Sequence, residues 1–156
     1  SERRHVFAES NQLCVVRTVG AIRQDFTVIY CVGETLNERE QSLTKKVVEQ
    51  QLEPLLTQLS EAELSRLVIA YEPVWAIGTG KVATTEQIAE VHKDIATLIQ
   101  KKFTADTIVP ILYGGSVTAD NFASIIKLDH VSGALVGGAS LSAEKFAPLI
   151  QISENN

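Results

Sequence analysis

The stretch Leu67-Val68-Ile69-Ala70-Tyr71-Glu72-Pro73 decides the fold: an unbroken apolar run halts at an acid followed by a proline. A continuous run of this kind, as opposed to an alternating one, reads as a parallel strand covered on both faces. The same pattern recurs on either side of it. Thr27-Val28-Ile29-Tyr30-Cys31-Val32 stops at Gly33, Ile108-Val109-Pro110-Ile111-Leu112-Tyr113 stops at Gly114-Gly115, and Gly133-Ala134-Leu135-Val136 stops at Gly137-Gly138. These runs predict four strands.

Helical signals fill the gaps between them. Asn37-Glu38-Arg39-Glu40 has the form of an N-cap with an acid at the third position. Leu43, Val47, Val48, Leu52, Leu55, Leu56 and Leu59 then form an apolar stripe, which Pro54 is expected to kink or split. Thr84 with Gln87 opens a second helix, whose Ile88, Val91, Ile95, Leu98 and Ile99 share a face. Shorter helices are predicted over 119–127 and over 143–150, the latter opened by Ser142, and an N-terminal helix over 10–24. No stretch reads as a linker. The expectation is an α/β fold of four strand–helix units within one domain spanning residues 1–156.

Composition excludes several functions. The chain has 156 residues, 45% hydrophobic and 21% charged, which is a globular balance. Its net charge of −5 argues against a surface that tracks nucleic-acid phosphates. No apolar run reaches the ~18 residues of a membrane span, and no signal-peptide pattern opens the chain. Cys14 and Cys31 form neither a CxxC pair nor a disulfide framework, so a reducing, cytoplasmic setting is the simplest expectation. No metal or cofactor is expected. The chain opens at Ser1 and contains no methionine, which implies a lost initiator or a cut from something longer.

Each unusual turn follows a strand, at the edge of a parallel sheet where ligands bind. Gly78-Thr79-Gly80, Gly114-Gly115-Ser116 and Gly137-Gly138-Ala139-Ser140 allow close backbone approach, and free N–H groups at the following helix starts suit an anion such as phosphate. Two nucleotide motifs fail. Gly78-Thr79-Gly80-Lys81-Val82-Ala83 fits a loose GxGxxA pattern, but Gly78 stands well past Tyr71 and the helix begins only after Thr84. A phosphate-binding P-loop fails because Trp75 and Val82 occupy positions that require glycine and a hydroxyl residue. Glu72, at the mouth of an apolar sheet, is the candidate general base; the bland alternative is a solvated rim acid. The segment from Pro73 to Lys81 is apolar at its tip, with proline at entry and glycines near exit. It reads as a closing lid, or else as a loop packed statically on its neighbours.

The runs Ala70–Lys81, Tyr113-Gly114-Gly115-Ser116-Val117 and Leu135-Val136-Gly137-Gly138-Ala139-Ser140-Leu141 resemble the triosephosphate isomerase family, as do Ser1-Glu2-Arg3-Arg4 and Cys31-Val32-Gly33-Glu34. The resemblance extends from Ser1 to about Ile150. It implies a (β/α)₈ barrel that interconverts dihydroxyacetone phosphate and glyceraldehyde 3-phosphate through an enediolate, without a cofactor. It implies that Glu72 is the catalytic base. The backbone N–H groups of Gly78, Ser116, Gly137 and Gly138 would hold the substrate phosphate. Pro73, Val74, Trp75, Ala76, Ile77, Thr79, Gly80 and Lys81 would form the lid with Gly78. Glu34 would pair with Trp75, and Glu2 and Arg4 would support the site. Cys31 would have a supporting role, while His5, His92 and His130 match no catalytic position. A homodimer is the family expectation for the complete enzyme.

The family's Gly-His pair, Asn-x-Lys site and inter-subunit loop have no counterpart among these residues. A whole barrel runs to ~250 residues, so the chain matches strands five to eight of an incomplete barrel. Isolated, it is expected to be inactive and to self-associate or pair with an N-terminal portion. A non-catalytic phosphate-binding half-barrel or a complementing fragment is the alternative.

Overall fold

The computed structural model describes residues 2–104 and 107–155. Ser1, which begins one of the family-like runs, lies outside the described residues. Strands β1 (Val28–Val32), β2 (Leu67–Tyr71), β3 (Ile111–Tyr113) and β4 (Gly133–Ala134) form a sheet in the order β1-β2-β3-β4. Every pairing is parallel, with Val32 opposite Tyr71 and Tyr71 opposite Tyr113. The four C-terminal strand ends therefore lie along one edge; the three glycine turns follow β2, β3 and β4, and Gly33 follows β1.

The helices are α1 (Glu2–His5), α2 (Asn11–Ile22), α3 (Leu36–Glu40), α4 (Thr44–Gln58), α5 (Thr85–Lys102), α6 (Ala119–Ile125) and α7 (Ala143–Glu154). The cap of α3 differs from the sequence expectation: Thr35, not Asn37, caps it, in a reciprocal box with Glu38. Thr35 wins because Glu38 stands three residues on and accepts from both the Thr35 N–H, at 2.7 Å, and its hydroxyl, at 2.9 Å. The Thr84–Gln87 box forms as expected. Ser142 stands at the N-cap of α7, but its side chain makes no capping hydrogen bond.

Pro54 does not split α4, which runs continuously through it. A proline leaves the carbonyl four residues back without its helical donor. Here that carbonyl belongs to Gln50 and accepts from Asn11 Nδ2 at 3.5 Å, while the next one, Gln51 O, accepts from the Tyr30 hydroxyl at 2.8 Å. Tertiary donors thus take up the loosened turn.

Two strands are shorter than the apolar runs that predict them. Pro110 cannot donate to a ladder, so Ile108 and Val109 are excluded from β3, and Ile108 is 84% exposed. Pro110 still contributes its carbonyl, which accepts from Ile69 N at 2.9 Å. Leu135 and Val136 fall beyond β4, although Leu135 N donates to Tyr113 O at 2.9 Å.

The core lies between the sheet and its helices. Val48, Leu52, Leu55 and Leu56 of α4 meet Ile88 and Ile95 of α5 and Val15 and Val19 of α2, all buried. Burying each such aliphatic side chain contributes about 1.5–3 kcal/mol. Among the described residues β1 and β4 are each paired on one side only. The total accessible area of 8577 Å² exceeds the roughly 7,700 Å² expected of a compact chain of this mass. Val6, Phe7, Val16, Ile29, Leu141 and Ile150 are among the exposed apolar residues.

His92, on α5, is fully buried, with Nδ1 3.1 Å from the His130 carbonyl and its ring edge-on to Tyr71. Burial pulls its pKa down to about 4. The unfolded chain, with an ordinary imidazole near 6.5, then binds more protons than the folded one as pH falls from about 6.5 to about 4. Folding stability should decline across that window, by up to about 3 kcal/mol from this group. His92→Leu should flatten that part of the pH profile of the melting temperature. An unchanged slope would show that other groups carry it.

Candidate active site

Glu72 directly follows β2 and is 9% exposed. Its N–H donates to Val32 O at 2.7 Å, and the preceding carbonyl, Tyr71 O, accepts from Gly114 N at 2.8 Å. The acid is thus stitched between the ends of β1 and β3. Two glycines make room for it. A Cβ on Gly33 would overlap the Glu72 carbonyl, and one on Gly114 would sit 2.7 Å from Glu72 Cγ. Glycine at these positions permits close backbone approach, beyond simply ending the strands.

Gly33 is itself clamped. Gln51, buried on α4, accepts from Gly33 N at 2.8 Å and donates through Nε2 to Gly33 O at 3.0 Å. Gln51 belongs to no motif of the sequence. The signal was an amide sitting inside the apolar stripe, between Val48 and Leu52, where burial demands that both ends be hydrogen-bonded.

The segment after Glu72 folds back over the sheet edge. Pro73 is buried, Val74–Ala76 form one 3₁₀ turn, and Gly78 and Gly80 take φ values of 64° and 77°. Those left-handed conformations require glycine-like freedom. Thr79 Oγ1 donates to Trp75 O at 2.7 Å, and Ser116 Oγ donates to Ala76 O at 2.9 Å. Glu34 holds the entry: its carbonyl accepts from Val74 N, and its Oε1 accepts from Trp75 Nε1, both at 3.0 Å. The Tyr71 hydroxyl lies 3.2 Å from both Glu34 oxygens. Burial, and then the Glu34 carboxylate, raise the pKa of Tyr71, so it stays protonated and donates. The sequence marks Tyr71 only as a strand residue.

A cavity of about 840 Å³ opens at this edge. Its wall brings together Glu72, Gly78, Ser116, Gly137 and Gly138, with Glu2 also contributing. Ile77 lines it too, whereas Thr79, Gly80 and Lys81 are exposed outside it. Glu34 and Arg4 stand behind the wall. Arg4 donates to Asn11 Oδ1 at 2.7 Å, to Cys31 O at 2.7 Å and to the Tyr30 hydroxyl at 2.9 Å, tying the N-terminal segment to β1. His5 and His130 are exposed and, like His92, do not line the cavity. The arrangement sets one largely buried carboxylate against three glycine-bearing turns, the pairing needed to move a proton on a small anionic molecule.

Cys31 lies beside that carboxylate. Burial, and then the charge of Glu72, push its thiol up to about 12. At pH 8 only about one thiol in ten thousand would be ionised. Alkylation mapped by mass spectrometry should therefore leave Cys31 unmodified. Glu72→Gln removes the second cause and should speed its labelling. A wild-type rate like that of a free cysteine would contradict this placement.

A parallel sheet in unbroken sequence order, alternating with helices and carrying its acid and glycine turns along the C-terminal edge, makes the molecule an α/β protein with its candidate site at that edge. The family model described as triosephosphate isomerase matches residues 1–153. The chain is 48% identical over 151 residues to the triosephosphate isomerase of Lawsonia intracellularis, covering 96% of this chain and 60% of the relative. It is 42% identical to that of Geotalea uraniireducens, covering 99% of this chain and 62% of the relative. It is 47% identical to that of Coprinopsis cinerea, covering 92% of this chain and 58% of the relative. The chain belongs to the triosephosphate isomerase family, and its four strand–helix units are part of a TIM barrel. It spans about 60% of the length of these curated relatives.

Proposed function

We propose that this chain carries the proton-transfer base and the phosphate cradle of a triosephosphate isomerase, acting on dihydroxyacetone phosphate and D-glyceraldehyde 3-phosphate. The observation that supports it is the shared cavity, in which Glu72 faces the same space as Gly78, Ser116, Gly137 and Gly138. Glu72 takes a proton from C1 of the ketose, leaving an enediolate, and returns it to C2, while the hydroxyl proton passes from O1 to O2, giving the aldose. The substrate phosphate rests on the backbone N–H groups of Gly78, Ser116, Gly137 and Gly138. Pro73 to Lys81 close over it, and exclusion of water protects the enediolate. Glu34, through Trp75, and Arg4, through Cys31 and Tyr30, support the site, with Glu2 at its rim. Residues 1–156 form a single partial barrel domain under this reading, and polarisation of the substrate carbonyl falls to groups outside it. A homodimer of the complete barrel and a cytoplasmic location belong to the same proposal. No described helix is long and apolar enough to cross a membrane.

Trp75 is the only tryptophan, so its fluorescence reports the lid directly. With Ser1–Asn156 joined to the segment of a relative that it does not match, 2-phosphoglycolate should shift Trp75 emission and sulfate should shift it less. No shift at saturating analogue would favour a static loop and count against the proposal.

A further inference from the structure

Glu34 is fully buried, and its side chain accepts from Trp75 Nε1 and from the Tyr71 hydroxyl. Those are neutral donors. An ionised carboxylate taken out of water needs an opposite charge, because desolvation costs several kcal/mol per ion. Among the described residues the only cation within 4.0 Å of it is Arg39, whose NH1 lies 3.7 Å from Glu34 Oε1. The Arg39 side chain is itself only 16% exposed. Its guanidinium also meets Thr44 Oγ1, 3.4 Å from NH1, and, at the solvent-facing side, the exposed Glu90 Oε2 of α5, 3.5 Å from NH2.

We propose that Arg39 is a positioning residue for the segment after Glu72: as counter-ion to Glu34 it keeps that carboxylate seated as acceptor for Trp75. The linkage runs from α3, whose cap at Thr35 immediately follows Glu34, through the carboxylate to the indole. Arg39 does not line the cavity, and it and Trp75 meet at the same Glu34 oxygen, which links the cation to the indole. The inference concerns the anchoring of the segment and holds whether or not the proposed reaction is correct. With Arg39 removed, Glu34 is left as a buried charge without a cation, a state relieved when water reaches the carboxylate or the side chain swings out. Either change loosens Trp75.

The test uses Trp75 emission and its quenching by acrylamide in the 156-residue chain, with far-UV circular dichroism as the check on folding. Arg39→Met should red-shift the emission and raise the quenching constant. Arg39→Lys, which keeps the charge and loses the planar fork, should recover part of both changes. Glu90→Gln removes only the solvent-facing partner of Arg39 and should leave Trp75 as in the wild type. A folded Arg39→Met with unaltered emission and quenching would overturn the inference, as would a Glu90→Gln variant that disturbs Trp75 equally. Should Arg39→Met not fold, the decision rests on Arg39→Lys: a spectrum between wild type and unfolded chain supports the charge-pairing role, and one indistinguishable from the unfolded chain contradicts it.

Discussion

Replacing Glu72 by glutamine, in a protein that joins Ser1–Asn156 to the unmatched segment of a relative, is expected to lower triose phosphate turnover by about 10²–10⁴, the usual contribution of a general base. Glutamine preserves size and hydrogen-bonding reach but cannot accept the substrate proton. The neighbourhood should tolerate the change, because Glu72 is fixed through its main chain: Val32 O, Gly114 N and the clamped Gly33 all act on backbone atoms around it. Binding of a phosphorylated analogue should therefore change far less than turnover. Steady-state kinetics and analogue titration on the same variant separate the two effects. Near-normal turnover would remove Glu72 from the chemistry.

The second large effect concerns the 156-residue chain by itself, which is expected to show no isomerase turnover above background. Removing the proton is productive only if the developing enediolate oxygen is stabilised at the same moment. The family resemblance assigns that task to a histidine in a Gly-His pair and a lysine in an Asn-x-Lys site, and neither sequence occurs in this chain. Loss of one such donor costs about 10²–10³ in rate, and groups that act as a unit do not simply add. The unpaired sides of β1 and β4, together with the exposed apolar residues Ile29, Phe7 and Leu141, should also drive association at assay concentrations. Robust turnover by the purified chain, with its mass confirmed, would contradict this and require an electrophile within it, with Arg3, Arg4 and His5 the first to examine.

Much of this architecture is legible in the sequence because strand ends and site coincide. The run from Leu67 to Tyr71 forms β2 with the predicted limits, and the Thr84–Gln87 box forms where expected, since both signals are local. Other details turn on partners that a motif does not name. Pro54 leaves its helix unsplit, with Asn11 and Tyr30 reaching the carbonyls beside it, and no local rule anticipates donors so far away in sequence. Thr35 displaces Asn37 as the cap because the reach of Glu38 decides the helix start. The glycine turns were visible as a class of ligand site. The anchoring of Glu34 by Tyr71, and the clamp of Gln51 on Gly33, were not, since each joins a polar side chain to a partner on another element.

The central claim is that Glu72 transfers a proton on a triose phosphate held by the glycine turns, and exchange with solvent tests it most directly. In the joined protein, dihydroxyacetone phosphate incubated in D₂O should acquire deuterium at C1, followed by NMR, and Glu72→Gln should suppress the wash-in to the solvent background. Exchange that proceeds equally in the Glu72→Gln variant, or none in the wild type while the phosphorylated analogue still binds, would contradict the account.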